Sequence, residues 1–355
     1  NYLSSELICY NFQELYQKSK SILFSDSTKL EEKIKKLNKT IYFVSEKTNI
    51  KKKNIQVIYN TLNQNFQPMN QRMRKKILNK KNRFDDFVHC AAYTSVLDGT
   101  NMISAKQLYE NNILSTLNSL ELAKHFNSNF IYISSSRVYS VNALNGLKLK
   151  FSEIYKPLKN NLSGLGKDGI KENFSTIPPL SLYGSSKIIS ENMIQEYCDL
   201  NKLPFVINRC GLITGSGQLY KADQGIVSFW INSWKKNKQL YYIGFDGYGH
   251  QTRDCLHPHD LAALISLQVK KLKKLKIDNK IFNVSGGMQS AFSLKELSDW
   301  CCKNISLKKI KSNKKNRTFD IKWLVLDNSN AKKEFNWKVK YNKKQIFRDI
   351  LNEDD

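Results

Sequence analysis

The segment "PPLSLYGSSKIISENM", residues 178–193, sets Tyr183 and Lys187 four positions apart in a stretch that reads as a helix start. On a helix, positions i and i+4 share one face, so the phenol and the ammonium would stand side by side. A phenol with its ordinary pKa near 10 is a poor base at neutral pH. A neighbouring ammonium stabilises the phenolate and draws that pKa toward the working range. The same spacing recurs at Tyr16–Lys20 and Tyr155–Lys159, where a lysine-rich chain produces it by chance. The third pair is set apart because it opens a helix, about fifty residues after a strand-like run that breaks into hydroxyls, "NFIYISSSRVYS". A serine at the end of that strand would hold a substrate hydroxyl between itself and the tyrosine.

Such a pair needs a scaffold, and the surrounding pattern predicts one. "FDDFVHCAA" is a short apolar run ending in small residues, as in a buried parallel strand. Leu108, Ile113, Leu117, Leu120 and Leu122 form a helical stripe. A polar insertion from about 141 to 177 precedes a helix from Tyr183 to about Leu200 and the strand "PFVINRC". Strands alternating with helices at this spacing imply an α/β fold, a doubly wound parallel, Rossmann-like sheet with right-handed crossovers. After Gly211, "GLITGSGQLYKADQG" and "GFDGYGHQTRDCLHPHD" are glycine-rich and read as loops around a ligand. Helices at about 225–236 and 260–275, the strand "KIFNVSGG" and a helix starting at Ser293 complete a smaller C-terminal lobe. The expected division is residues 1–84, an atypical N-terminal part of the sheet domain; 85–210, its core with the Tyr/Lys motif; and 211–355, mainly a substrate-binding lobe with returns to the sheet.

Composition excludes several other classes. Among 355 residues, 41% are apolar and 25% charged, the balance of a water-soluble globular protein. No window has the long apolar run of a membrane span. The opening "NYLSSELICYNF" lacks the basic and apolar regions of a secretory leader, and its first residue, asparagine, suggests a true start further upstream. Cys9, Cys90, Cys198, Cys210, Cys255, Cys301 and Cys302 show no C-x-x-C spacing, as expected of reduced cytoplasmic thiols. The net charge of +26 is concentrated in residues 1–84 (18 Lys+Arg against 6 Asp+Glu) and 303–345 (14 against 3). With no RNA-binding aromatic signature, zinc finger or basic zipper beside it, this charge predicts no nucleic-acid partner.

"VHCAA", Asn112 in "ENNILSTLNSLE", "SSSRVYS" and "YGSSK" together resemble the extended short-chain dehydrogenase/reductases, the NAD-dependent nucleotide-sugar epimerases and dehydratases. "FSTIPPLSLYGSSK", "INRCGLITGSGQLYKADQGIVSFWINSW" and "YYIGFDGYGHQTRDCLHPHDLAAL" are similar to the CDP-paratose 2-epimerase branch; the resemblance covers roughly residues 85–350. It implies a catalytic trio of Ser135, Tyr183 and Lys187, with Lys187 also on the nicotinamide ribose. It places Ala91, Ala92, Asn112 and Ser134 beside the NAD cofactor, with Asn112 supporting the active-site helix. Arg209, Gln218, Asp223, Gln224 and Arg253 fall on the substrate side, and Arg253 resembles the arginine that binds the diphosphate, for which a bidentate guanidinium is suited. Competing structural roles are a salt bridge between Arg253 and Asp254, and loop architecture for Gln218, Asp223 and Gln224. The family uses no metal, and Pro258 between His257 and His259 suits a turn, so His250, His257 and His259 are not expected to hold one. The family's dehydratases carry an acidic pair after the catalytic Ser/Thr; here Ser136 and Arg137 follow Ser135. The resemblance therefore implies epimerisation at C2 of a CDP-deoxyhexose through a keto sugar. A C4 epimerase of another nucleotide sugar and a non-catalytic binding or scaffold member are the alternatives, and a homo-oligomer is compatible with either.

Residues 1–84 contain no glycine, although a pyrophosphate turn normally uses one so that backbone N–H groups reach the phosphates. The best first βαβ unit is a strand at 21–25, a helix at 28–38 and a strand at 41–45, with Glu46 as a ribose-binding acid and a further strand at 55–60. Its turn would be Ser25, Asp26, Ser27 and Thr28, with Asp26 repelling phosphate while capping the helix. This degenerate unit predicts weak NAD binding.

Overall fold

The computed structural model describes residues 85–353, apart from 101–102, 153, 159–161, 219, 221 and 273–279. The strands and helix expected within 1–84, Glu46 and the turn at 25–28 lie outside the described residues.

The first half contributes β1 (Asp86–His89), α1 (Ala105–Tyr109), a π-helical turn (Glu110–Leu114), α2 (Ser115–Phe126), β2 (Asn129–Ser135), α3 (Leu182–Leu200) and β3 (Phe205–Cys210). The second adds β4 (Leu212–Ile213), α4 (Ile226–Lys235), β5 (Thr252–Leu256), α5 (Pro258–Lys271), β6 (Ile281–Val284), β7 (Ala291–Ser293), α6 (Leu294–Asn304), β8 (Trp323–Leu324), α7 (Ser329–Phe335) and α8 (Lys343–Leu351).

Among the described strands the main sheet runs β1–β2–β3–β6, all parallel, with Asp86 opposite Asn129, Phe130 opposite Phe205 and Ile207 opposite Ile281. Every residue of β2 and of β3 is buried, as a parallel sheet covered on both faces requires. Side chains alternate between the faces. Phe130 and Tyr132 pack with Leu120 of α2 and Ile194 of α3, while Ile131 and Ile133 pack with Leu261 and Leu264 of α5 and Phe335 of α7. The return of the chain at β6 thus adds a strand to the first half's sheet. A second sheet orders β7–β5–β8, with β4 pairing the far end of β5. Its core joins Trp230 and Trp234 of α4 to Phe292, Leu297, Phe347 and Ile350.

Two details depart from the sequence reading. The predicted stripe runs as one helix, but a π-helical turn interrupts it at Glu110–Leu114. Of the stripe's leucines, Leu108 and Leu120 are buried, and the rest of the buried face is Asn112, Ser115, Thr116, Ser119, Ala123 and Phe126. Small polar side chains let α2 and α3 approach: Asn112 Nδ2 donates to Ser186 Oγ at 2.8 Å, and Thr116 Oγ1 to Ser190 Oγ at 3.4 Å. The helix expected from about 260 starts at Pro258, because proline fits the first helical position and His257 Nδ1 accepts from His259 N at 3.1 Å.

Candidate active site

α3 begins with Ser181 as its cap, the hydroxyl accepting from Gly184 N at 3.0 Å. A Cβ on Gly184 would lie 2.2 Å from the Arg137 carbonyl oxygen. Glycine there lets the first turn of α3 press against the 3₁₀ turn Ser136–Val138 that follows β2. That contact delivers Tyr183 and Lys187 to the end of β2. The Tyr183 hydroxyl lies close enough to the Ser135 side chain for Ser135 to favour its ionised form. Lys187 Nζ donates to the Ile133 carbonyl at 2.9 Å and stands 4.6 Å from the centre of the Tyr132 ring. Ser135, Tyr183 and Lys187 are therefore brought together, while Tyr155 lies in a separate aromatic cluster with Phe151 and His250.

The electrostatics differ from the simple expectation. Burial raises the Tyr183 pKa above its ordinary value; Lys187 and then Ser135 work against that rise without overcoming it. Burial likewise lowers the Lys187 pKa, with Tyr183 as the largest opposing influence. Desolvation of both groups outweighs their mutual attraction. Lys187 has three N–H groups and makes one hydrogen bond among the described residues, which leaves donors available to a ligand.

Asn112 ties this site to the loop after β1. Its Oδ1 accepts from Tyr93 N at 2.7 Å, and its Nδ2 donates to the Tyr93 carbonyl at 3.1 Å and to Ser186 Oγ at 2.8 Å. Ser186 in turn donates to the Tyr183 carbonyl at 2.8 Å. Asn112 thus holds the loop carrying Ala91 and Ala92 against the first turn of α3. Ala92 is buried and Ala91 packs beside Leu182.

Ser134 and Arg209 have other partners. Ser134 Oγ donates to Glu191 Oε1 at 2.5 Å, and Arg209 forms a two-pronged pair with Glu191, its shortest contact 2.7 Å. Arg209 Nη1 also donates to the Glu172 carbonyl at 2.9 Å and to the Tyr139 hydroxyl at 3.4 Å. Glu191 holds the guanidinium charge firmly, raising the Arg209 pKa despite burial. Sequence reasoning missed Glu191. Its signal was present, since it continues the four-residue spacing of Tyr183 and Lys187.

On the opposite side, Gln218 is built into its own loop. Its Oε1 accepts from Thr214 Oγ1 at 2.7 Å and Ser228 Oγ at 3.0 Å, and its Nε2 donates to the Ile213 carbonyl at 3.0 Å. Asp223 accepts from Ser95 Oγ at 2.8 Å, and Gln224 donates to Thr94 Oγ1. These last two join the 223–224 loop to the loop after β1.

Arg253 does not pair with Asp254 as the competing role required. Asp254 accepts from Ser285 Oγ, Gly287 N and Leu326 N, and burial pushes its carboxyl up to about 6. Arg253 instead reaches the 319–321 segment, donating to the Ile321 carbonyl at 2.8 Å and to Asp320 Oδ1 at 3.4 Å, and also to its neighbour Thr252's carbonyl at 2.8 Å. Burial and then the nearby Arg137 push its pKa down to about 10. Arg137 approaches the same segment, its Nη1 donating to the Phe319 carbonyl at 3.2 Å. Phe319 has φ 59°, a left-handed conformation unusual for a bulky residue. Among the described residues no three His, Cys, Asp or Glu side chains gather as metal ligands. His257 Nε2 lies 3.1 Å from Asp349 Oδ2, and its ring stacks on Tyr341.

A parallel, doubly wound sheet with a serine, a tyrosine and a lysine at the end of its second described strand defines a dehydrogenase/reductase type of enzyme. The profile of the NAD dependent epimerase/dehydratase family matches residues 28–285, and the chain belongs to that family. It is 26% identical over 298 residues to a putative UDP-glucose 4-epimerase of Methanocaldococcus jannaschii, covering 82% of this chain and 85% of that protein. It is 28% identical over 204 residues to CDP-paratose 2-epimerase of Salmonella typhi, covering 54% of this chain and 56% of that protein. Among solved structures it resembles UDP-glucuronic acid 4-epimerase of Bacillus cereus, a point mutant in complex with a fluorinated UDP-glucuronic acid and NAD. The TM-score there is 0.61 at 22% identity, covering 78% of each chain, a likeness of fold. No described helix is long and apolar enough to cross a membrane.

Proposed function

We propose that this enzyme epimerises a nucleotide-activated sugar, with C2 of a CDP-deoxyhexose as the reacting centre. The observation that carries the reading is the grouping of Ser135 and Tyr183, with Lys187 behind them, at the end of β2. A sugar hydroxyl placed against both oxygens gives up its proton to the Tyr183 phenolate while Ser135 fixes the position of its oxygen. Lys187 offsets part of the cost that burial places on the phenolate, and the proton returns by the same route when the opposite face is reduced. NAD, when bound, supplies the acceptor and donor of hydride. The unmatched donors of Lys187 suit ribose hydroxyls, and Ala91 and Ala92 lie on the loop that Asn112 holds. Arg253 binds the substrate diphosphate.

Ser136 and Arg137 place no acid next to Ser135, which favours epimerisation over elimination. The named activity of the Salmonella typhi relative supports the CDP sugar and C2. The wider match to the Methanocaldococcus jannaschii protein supports a second reading, C4 epimerisation of a UDP sugar. Proton NMR of purified enzyme with CDP- and UDP-hexoses separates them by the carbon that inverts. Tyr183→Phe should lower turnover at least about a thousand-fold while leaving sugar-nucleotide affinity within a few-fold. Near-normal turnover in that variant refutes the assignment of the base. Extraction of the purified protein tests the non-catalytic reading: absence of NAD, together with no turnover when NAD is added, would favour it.

A further inference from the structure

Three buried or half-buried arginines surround the site, and they differ in how far the protein satisfies them. Arg209 is spent on Glu191, Glu172 and Tyr139. Arg253 bonds to Thr252, Asp320 and Ile321. A guanidinium offers five N–H donors, and among the described residues Arg137 uses one of them, on the Phe319 carbonyl. Leaving donors of a half-buried cation unmatched is costly unless a ligand takes them.

The backbone of Arg137 is rooted at the catalytic residues. Its N–H donates to Ser135 Oγ at 3.2 Å, and its carbonyl is the group that Gly184 must clear. Its side chain ends at the 319–321 segment beside Arg253, within electrostatic reach of both Tyr183 and Asp320. Arg137 therefore spans the ground between the phenol and Arg253. If Arg253 holds the diphosphate, that ground is where the sugar lies.

We propose that Arg137 is a specificity residue that reads the sugar, donating its unmatched N–H groups to the oxygen substituent next to the reacting carbon. The inference rests on the nucleotide-sugar reading of the site. A planar fork grips a ring oxygen in a fixed direction and keeps the sugar registered against Ser135 and Tyr183. It accounts for an arginine at a position where an acid would serve elimination.

Calorimetry on the full chain, wild type against Arg137→Ala and Arg137→Lys, tests this with CDP, UDP, CDP-glucose and UDP-glucose as probes. The expected result is affinity for CDP and UDP within about two-fold of wild type, and a loss of about 10- to 100-fold for the sugar nucleotide that wild type prefers. Arg137→Lys should recover part of that loss, with an unchanged melting temperature in both variants. Equal losses for nucleotide and sugar nucleotide would put Arg137 on the diphosphate and overturn the proposal. So would unaltered binding of all four probes by Arg137→Ala. Failure of the wild type itself to bind either sugar nucleotide would instead sink the reading of the site, and this inference with it.

Discussion

The polar cluster around Arg209 and the one around Arg253 hold the same kind of side chain in opposite states. Arg209 meets a carboxylate on two prongs, and Glu191 receives Ser134 as well. Arg253 pairs with Asp320, Arg137 lies within electrostatic reach of the same carboxylate, and both donate to main-chain carbonyls of the 319–321 segment. The first cluster is balanced inside the protein: Glu191 neutralises Arg209, whose Nε, Nη1 and Nη2 all find partners, and the cluster ties α3 to β2 and β3. The second carries two guanidinium groups against one carboxylate, and on the function proposed above the surplus charge serves a bound diphosphate sugar. On that proposal, saturation rather than burial or residue type would separate a guanidinium that supports the fold from one that meets substrate.

The largest effect should come from opening the balanced cluster. Glu191→Ala strands the Arg209 charge and should cost about 3–5 kcal/mol of stability in urea unfolding. Replacing both together, Glu191→Leu with Arg209→Met, should cost much less, because no lone charge remains. Equal losses in the single and double variants would mean that the pair does not act as a unit.

Arg253→Ala should change stability little but weaken nucleotide-sugar binding by about 2–4 kcal/mol, read by calorimetry with CDP and UDP sugars. A variant that binds as tightly as wild type would break the contrast between the clusters.

Asp254, next to Arg253 but turned away from it, sharpens the comparison through pH. Its folded pKa of about 6 lies above the ordinary carboxyl value, so the stability it confers is complete below about pH 4 and is lost as pH rises through 6. Asp254→Asn keeps an oxygen for Ser285, Gly287 and Leu326 and has no charge to acquire. Relative to wild type, it should therefore gain up to about 3 kcal/mol between pH 4 and pH 7. A constant difference across that range would contradict the assignment.

The smallest effect belongs to Tyr155→Phe, which removes a hydroxyl from the aromatic cluster with Phe151 and His250. Turnover and stability should both stay near wild type, within about 0.5 kcal/mol for stability.

The strand–helix alternation after residue 85 was legible because parallel strands such as "NFIYISS" are apolar throughout and the helices between them are long. The Tyr183–Lys187 pair was legible because its four-residue spacing fell beside a hydroxyl-rich strand end. The spacing that exposed Lys187 also ran on to Glu191, yet its meaning depended on Arg209, eighteen residues away on another element. The π-helical turn at Asn112 is set by the contact with Tyr93 and Ser186 rather than by local propensity. The raised Tyr183 pKa follows from how deeply α3 sinks against β2, which no local pattern reports. Apart from the Thr252 carbonyl, the partners of Arg253 lie 67 and 68 residues further along the chain, so adjacency to Asp254 did not reveal them.

Phe319 carries a consequence for motion. A bulky residue at positive φ is held about 1–3 kcal/mol above its relaxed conformations, and it stays there only while its surroundings insist. The Phe319 carbonyl is gripped by Arg137, and the next two residues are gripped by Arg253. The segment's shape is therefore imposed on it from outside. Loosening either grip should release it to sample other conformations, and amide hydrogen exchange at residues 319–321 should quicken before any change reaches the sheet.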